Sequence, residues 1–322
     1  VKEKSRQNAA QESGMDRRGF MIAGLGATAS ILLFGTPALA EQFEIIVEQE
    51  TAQPQKVEGI QKTDPSSWAP PAAIARQFIN ESIKFEIRFM TAKTAQGQIT
   101  FKRTAENTFT ASMEATITGL AAQVVKYRKQ VLTSTFSPEQ TPQGMRFVTS
   151  SFYTKLISTE GTSESRHYFN YGSRRWIKTR VKNGKRKKPE ARHIPPNVFY
   201  DDIVNLFFNM RAGVYGKIEE GKLFKLPTMP WERTIKKDGK KQRVSTDRID
   251  VYIAKTSELP DDEKQWMKQV GAKRLFTVKL DKDVYAIKSG EARFYADDAM
   301  RPRGARVKDA LFFGDVVATL KA

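Results

Sequence analysis

From Ser82 onward the chain alternates apolar and polar residues with a period of two, and this pattern restricts the possible folds more than any other feature. Phe85, Ile87 and Phe89 interleave with Lys84, Glu86 and Arg88, as in a strand with one buried face and one wet face. Ile99 and Phe101 continue the pattern, followed by Phe109, Met113 and Ile117, then Val125, Tyr127 and Val131, then Phe147 and Tyr153. Turns are read at Gly97, Gly119, Pro138, Pro142 and Gly144, and closing strands at 275–280, 285–287, 292–295 and 312–320. The text predicts a meander of antiparallel strands.

Two tight hairpins stand out. Asn183-Gly184 and Asp238-Gly239 are dipeptides that accept positive φ at both central positions of a two-residue turn. Each sits between basic arms: Arg174, Arg175, Lys185, Arg186, Lys187 and Lys188 around the first, Lys236, Lys237, Lys240 and Lys241 around the second. Between the hairpins a helix is expected over 199–210, capped by Asn197, with Asp201 and Asp202 at its positive end and Gly213 beyond its exit. Phe199, Ile203, Leu206 and Met210 are spaced by four, three and four, so that face is buried. A shorter helix follows over 260–270, ended by Gly271. The fold class is mainly β with minor α: a curved antiparallel sheet or half-barrel wrapping partly around one helix.

The N-terminal text reads as an address. Arg17-Arg18-Gly19-Phe20-Met21 is a twin-arginine motif, the stretch 20–34 is apolar, and Ala38-x-Ala40 is a small-residue cleavage site. The stretch is shorter than the ~20 apolar residues of a spanning helix. Residues 1–40 are therefore a leader with a cleavable signal, 41–73 a linker with a short strand at 43–47, and 74–322 the β-rich domain. The expected location is the periplasm.

Composition narrows the chemistry. There is no cysteine, and His167 and His193 are the only histidines, which argues against disulfides, iron–sulfur clusters, thiol-held haem and the usual zinc sets. No cofactor and no metal are expected. Of the net charge of +18, about +16 remains once residues 1–40 are removed, which points to anionic neighbours such as lipid headgroups or acidic polymers. Ten Lys/Arg between Arg174 and Arg192, with Trp176 among them, could suit nucleic acid, but export argues against that partner. Each histidine is flanked by arginine, which favours neutral imidazole. Asp201 and Asp202 point about 100° apart on a helix and suit its dipole better than a shared substrate; Asp297-Asp298 reads as a turn.

With these pieces in order, the chain resembles the DUF3108 family of exported bacterial proteins. The resemblance rests on Glu81-Ser82-Ile83-Lys84-Phe85 with Ala95-Gln96-Gly97, on the aspartate-led helix from Asp202 to Arg211 with Gly213 after it, and on Phe294-Tyr295-Ala296-Asp297-Asp298, Arg301-Pro302 and the last strand from Gly314 to Leu320. Phe85 stands where an aromatic hydroxyl is commoner. The resemblance implies a fold and a compartment and no agreed activity.

The resulting expectation is a non-enzymatic envelope protein whose concave apolar face holds a lipid-like or anionic component. The basic hairpins would meet an anionic lipid or polysaccharide surface, or an envelope protein. The alternatives are an exported hydrolase of an acidic polymer and a scaffold subunit of an exported complex. Replacing Arg17 and Arg18 together by Lys is expected to leave unprocessed precursor in the cytoplasm; normal export and processing of that variant, read by fractionation and immunoblot, would remove the twin-arginine assignment.

Overall fold

The computed structural model describes residues 71–321 apart from 90–91, 119–126, 143, 238–239, 281–289 and 312–313. Among the described residues fifteen strands form one antiparallel sheet that is not closed into a barrel. In chain order they are β1 (Ser82–Phe89), β2 (Ala92–Ala105), β3 (Thr108–Ile117), β4 (Tyr127–Thr141), β5 (Gly144–Ser158), β6 (Gly161–Asn170), β7 (Arg175–Lys182), β8 (Lys185–Arg186), β9 (Glu190–His193), β10 (Leu223–Lys237), β11 (Lys240–Ile253), β12 (Arg274–Lys279), β13 (Glu291–Ala296), β14 (Pro302–Leu311) and β15 (Gly314–Leu320). The spatial order runs β10 to β15, then β1 to β8, with β9 also paired to β7. The first strand thus lies beside the last, with Phe85 opposite Leu320 and Phe89 opposite Val316.

The alternation places the core on one face. Ile83, Phe85 and Ile87 are buried on β1, Ile99 and Phe101 on β2, and Phe109, Ala111 and Met113 on β3. On β4 and β5 the inward residues are Leu132, Phe136 and Phe152, whereas Val131 and Tyr153 are only half-buried. Both strands carry apolar residues on both faces there, so period two alone leaves the face open. Gly97 and Pro138 are strand residues, opposite Ala115 and Phe147: pairing on both sides overrides the turn tendency of Gly97, and Pro138 lies past the end of the β3 pairing, with a neighbour on the β5 side only. β14 was not foreseen: it begins at Pro302, and Gly304 lies so close to β15 that a Cβ there would meet Ala318 O at 2.9 Å.

Among the described residues three α-helices accompany the sheet: α1 (Pro71–Arg76), α2 (Ile203–Arg211) and α3 (Asp261–Val270), the last ended by Gly271 at φ 70°. α1 falls partly in the expected linker, and the anticipated strand at 43–47 lies outside the described residues. α2 starts four residues later than expected. Its N-cap is Asp202, whose Oδ1 accepts Val204 N at 2.9 Å and Asn205 N at 3.0 Å; Asn197 instead sits in a turn at φ 61°. Tyr200 is fixed before the helix, its N–H bonded to the Tyr171 hydroxyl at 3.2 Å.

α2 lies against the buried face of the sheet and presents three stripes to it. Val204 and Phe208 meet an aromatic cluster, where Phe208 contacts Phe78, Phe101 and Phe136 at ring separations of 5.3, 4.9 and 6.4 Å. Asn205 and Asn209 meet β5. Ile203, Leu206, Phe207 and Met210 face β11 to β14. Phe208→Ala is expected to cost about 3–5 kcal/mol, as buried aromatic truncations do; a loss below about 1 kcal/mol in urea unfolding would mean the cluster closes over the gap.

Candidate functional site

The stripe facing β11 to β14 does not fill the space before it. A cavity of about 120 Å³ lies between Ile203, Leu206, Phe207 and Met210 on one side and Ile249, Val251, Phe276, Val278, Leu280 and Phe294 on the other. The two polar side chains in its wall are held by bonds to other residues. Arg211 donates two bonds to Glu81, at 2.5 and 2.9 Å, and its guanidinium lies over the Phe78, Phe207 and Phe208 rings. The Tyr295 hydroxyl donates to Glu263, a fully buried carboxylate that also receives Arg293. What remains is an apolar surface without a carboxylate in its lining. An engineered apolar cavity of ~150 Å³ takes one benzene, so this space suits one short chain or a single ring.

The opposite side of α2 is polar and densely bonded, with Asn205 Oδ1 and Arg146 Nε the atoms of the network left without a hydrogen bond. Asp201 pairs with the buried Arg146, accepts from the Tyr215 hydroxyl, and receives Asn205 at 2.8 Å and Asn209 at 3.0 Å. The same two asparagines donate to Phe147 O at 2.9 and 3.0 Å, and Asn209 Oδ1 accepts Phe147 N at 2.9 Å. Asp202 Oδ2 accepts the Ser134 and Thr149 hydroxyls at 2.6 and 2.9 Å. The two aspartates therefore serve different partners, and Asp201 exceeds the helix-dipole role expected of it. Burial pushes the Asp202 carboxyl up to about 6, against four donors that favour the charged form. Burial moves Asp201 the same way, opposed by Arg146.

The other candidates are separated. Asn183 and Gly184 both take positive φ, 49° and 77°, so the first hairpin has the expected turn; Lys185, Arg186, Lys187 and Lys188 are exposed around it. Arg174 and Arg175 are at the other end of β7, about 23 Å away at ~3.3 Å per residue. There Arg174 donates to Val198 O at 3.1 Å and covers the Phe199 ring. The anion-binding group read from sequence is thus divided by a strand's length. The backbones of Lys236, Lys237, Lys240 and Lys241 pair as the expected hairpin, while their side chains and the turn at 238–239 lie outside the described residues. Because β7 and β10 run in the same direction, both hairpins turn at the same end of the sheet. The opposite end carries Glu219, Glu220, Glu258, Asp261 and Asp262.

His193 is exposed and His167 buried. The Trp176 indole donates to His167 Nδ1 at 3.2 Å, a bond open only to neutral imidazole. Burial, and then Lys178, Arg180 and Arg192, hold that imidazole well below its usual range. Asp297 is turn chemistry, accepting Arg301 N at 2.9 Å and pairing with Arg303 at 3.0 Å. Arg17, Arg18, Ala38 and Ala40 lie outside the described residues. Among the described residues no three His, Cys, Asp or Glu side chains are grouped to hold a metal ion, and no helix is long and apolar enough to cross a membrane.

Sequence reasoning missed the interior wiring. The signal available was Asp201, Asn205 and Asn209, three polar residues spaced by four, the first just ahead of the helix cap and the other two on a helix otherwise apolar up to Arg211.

Neither family models nor curated proteins match the chain. Among solved structures it is similar to the crystal structure of a beta-barrel-like protein of domain of unknown function DUF1849 from Brucella abortus, at 10% identity, over 74% of this chain and 94% of that one, with a TM-score of 0.33.

Asp202 has a measurable consequence. Its carboxyl titrates near 6 in the folded protein against 3.8 for an ordinary aspartate, so the folded state holds this proton more tightly. Its stabilising contribution is full below about pH 3.8 and is lost as pH rises towards 6, an effect of about 3 kcal/mol. Asp202→Asn keeps a cap and lacks the titration. The stability difference between wild type and variant is expected to shift against wild type by that order between pH 4 and 7, with the His167 contribution cancelling in the difference; a flat difference in urea unfolding would mean Asp202 is not perturbed.

Proposed function

We propose that this is an exported, non-enzymatic binding protein of the bacterial envelope that takes a small apolar group into the cavity between α2 and strands β11 to β14. The observation that carries this reading is the cavity wall: its side chains are apolar except for Arg211 and Tyr295, and both of those are bonded to carboxylates. At about 120 Å³ the space is smaller than the ~300–1,000 Å³ of drug-sized sites. It suits one acyl end or ring of a larger molecule better than a whole multi-chain lipid. The hydrolase alternative asks for a cleft with two carboxylates about 5–9 Å apart, and this lining offers none.

Export by the twin-arginine motif and membership of the DUF3108 family belong to the same proposal. The family reading is supported by a contact between two of its separate motifs: Glu81 from the first holds Arg211 from the second. Docking on an anionic lipid or polysaccharide surface is supported by the shared end of the two basic hairpins.

An uncharged single-ring probe, toluene, is expected to bind the wild-type protein, read by ligand-observed NMR, and to lose at least about tenfold in affinity in Val278→Phe, which places a ring in the cavity, at unchanged thermal midpoint. Lys187→Gln with Lys188→Gln leaves that binding as it is. Equal binding by wild type and Val278→Phe would overturn the cavity as the site.

A further inference from the structure

A groove on the outer face of the sheet is separate from the apolar cavity. Phe276, Phe294 and Ala305 pair across β12 to β14 and pack in the inner core, so their chain neighbours Leu275, Tyr295 and Gly304 lie on the outer face. α3 covers them. Met267 packs with Leu275 and Tyr295, Glu263 receives the Tyr295 hydroxyl and Arg293, and a Cβ on Gly304 would meet Val270 Cγ1 at 3.9 Å. Beyond the helix, Val317 of β15 sits opposite Arg306 of β14 on that same outer face. A groove of about 400 Å³ runs between them, with Gln265, Trp266 and Gln269 on the helix side and Arg306, Asp315 and Val317 on the strand side. The helix residues are spaced by three and four and so share one side of α3.

The lining narrows the chemistry of a ligand. Arg306 is already neutralised, donating to Asp315 through Nε at 2.7 Å and lying 2.5 Å from it through Nη2, and Asp262 adds a further carboxylate to the wall. An anion therefore meets net negative charge. An acyl chain meets too little apolar surface, because Trp266 and Val317 are the only apolar side chains of the lining. What the groove offers instead is planar groups that donate and accept side by side: the Arg306–Asp315 pair and the exposed amides of Gln265 and Gln269, one turn apart. The Trp266 ring is held edge-on against Tyr295 at 6.4 Å, and its indole N–H is buried without an acceptor. We propose that this groove binds a neutral sugar ring, with its C–H face against Trp266 and its hydroxyls bonded to Gln265, Gln269 and the Arg306–Asp315 pair. Each sugar hydroxyl both donates and accepts, so it matches such paired groups without bringing charge, and one of them closing on the ring supplies the acceptor that the indole lacks. The volume falls within the ~300–1,000 Å³ of small-molecule sites.

Saturation-transfer NMR of the full chain with methyl glucopyranoside, methyl galactopyranoside and the disaccharide of N-acetylglucosamine tests the site. Transfer to the ring protons of at least one of them is expected, with affinity weakened at least about tenfold in Trp266→Ala and in Gln265→Ala with Gln269→Ala, and unchanged in Lys187→Gln with Lys188→Gln. Should Trp266→Ala fail to fold, the glutamine pair decides, since both positions are exposed and stand apart from the packed side of α3. Tighter binding of the disaccharide assigns the groove to a glycan chain; binding no tighter than that of the single rings assigns it to a free sugar. Both support the site. No transfer to any of the three, or transfer that the glutamine variant leaves unchanged, would overturn it. Loss of sugar binding in Val278→Phe alone would also overturn the groove and place the sugar in the apolar cavity.

Discussion

A helix enclosed by a curved sheet brings backbone groups and polar side chains away from water, and everything else in this molecule depends on how that is resolved. The answer is the insertion of Asp201, Asn205 and Asn209 against β5. The Arg146–Asp201 pair supplies the charge balance, and the two asparagines satisfy both the carboxylate and the backbone of Phe147. A buried ion pair is weak evidence for stability in itself, since desolvation offsets much of its attraction. Its effect here is directional. Breaking it would leave an uncompensated charge, so α2 can rest on the sheet in one rotation only, and that rotation decides which stripe faces the strands beyond.

The consequence is a division of the interior by chemistry. One side of α2 is dense with hydrogen bonds, another is aromatic, and the third meets strands whose side chains there are apolar apart from Tyr295 and leave a gap. Further along the sheet the same face carries charged side chains, Lys178 and Arg180 on β7 and Glu190 and Arg192 on β9. A period-two pattern cannot itself make such a surface. It arises because each strand contributes a different pair of inward residues at the same height.

The local rules were the legible ones. The alternation on β1 to β3, the positive-φ turn at Asn183-Gly184 and the Gly271 stop could be read directly, because each is settled by the backbone within a few residues. What failed to show involved partners far away in the chain. β14 and the first half of β10 contain proline, and Pro227 and Pro230 fall at the register shift of an edge strand, where a missing N–H is tolerated. The inward face of β4 is set by Ser134 reaching Asp202, sixty-eight residues on. Arg146 gives no sign in sequence that its partner is Asp201. The cationic run between Arg174 and Arg192 read as one patch, but in a strand alternate residues face opposite ways and its ends stand far apart.

The pairing of β1 with β15 has a temporal meaning. A meander usually lets each strand dock as soon as its neighbour exists, but here the first strand of the sheet has the last as one of its two neighbours. During synthesis β1 can acquire β2 early, while its other edge stays open until β15 has been made. Contacts of such sequence separation are slow to form, and an open edge is a template for pairing with other chains. A chain stopped short of Gly314 would carry that exposed edge permanently, so quality control of this sheet can be exercised at one place: whether β1 has met β15.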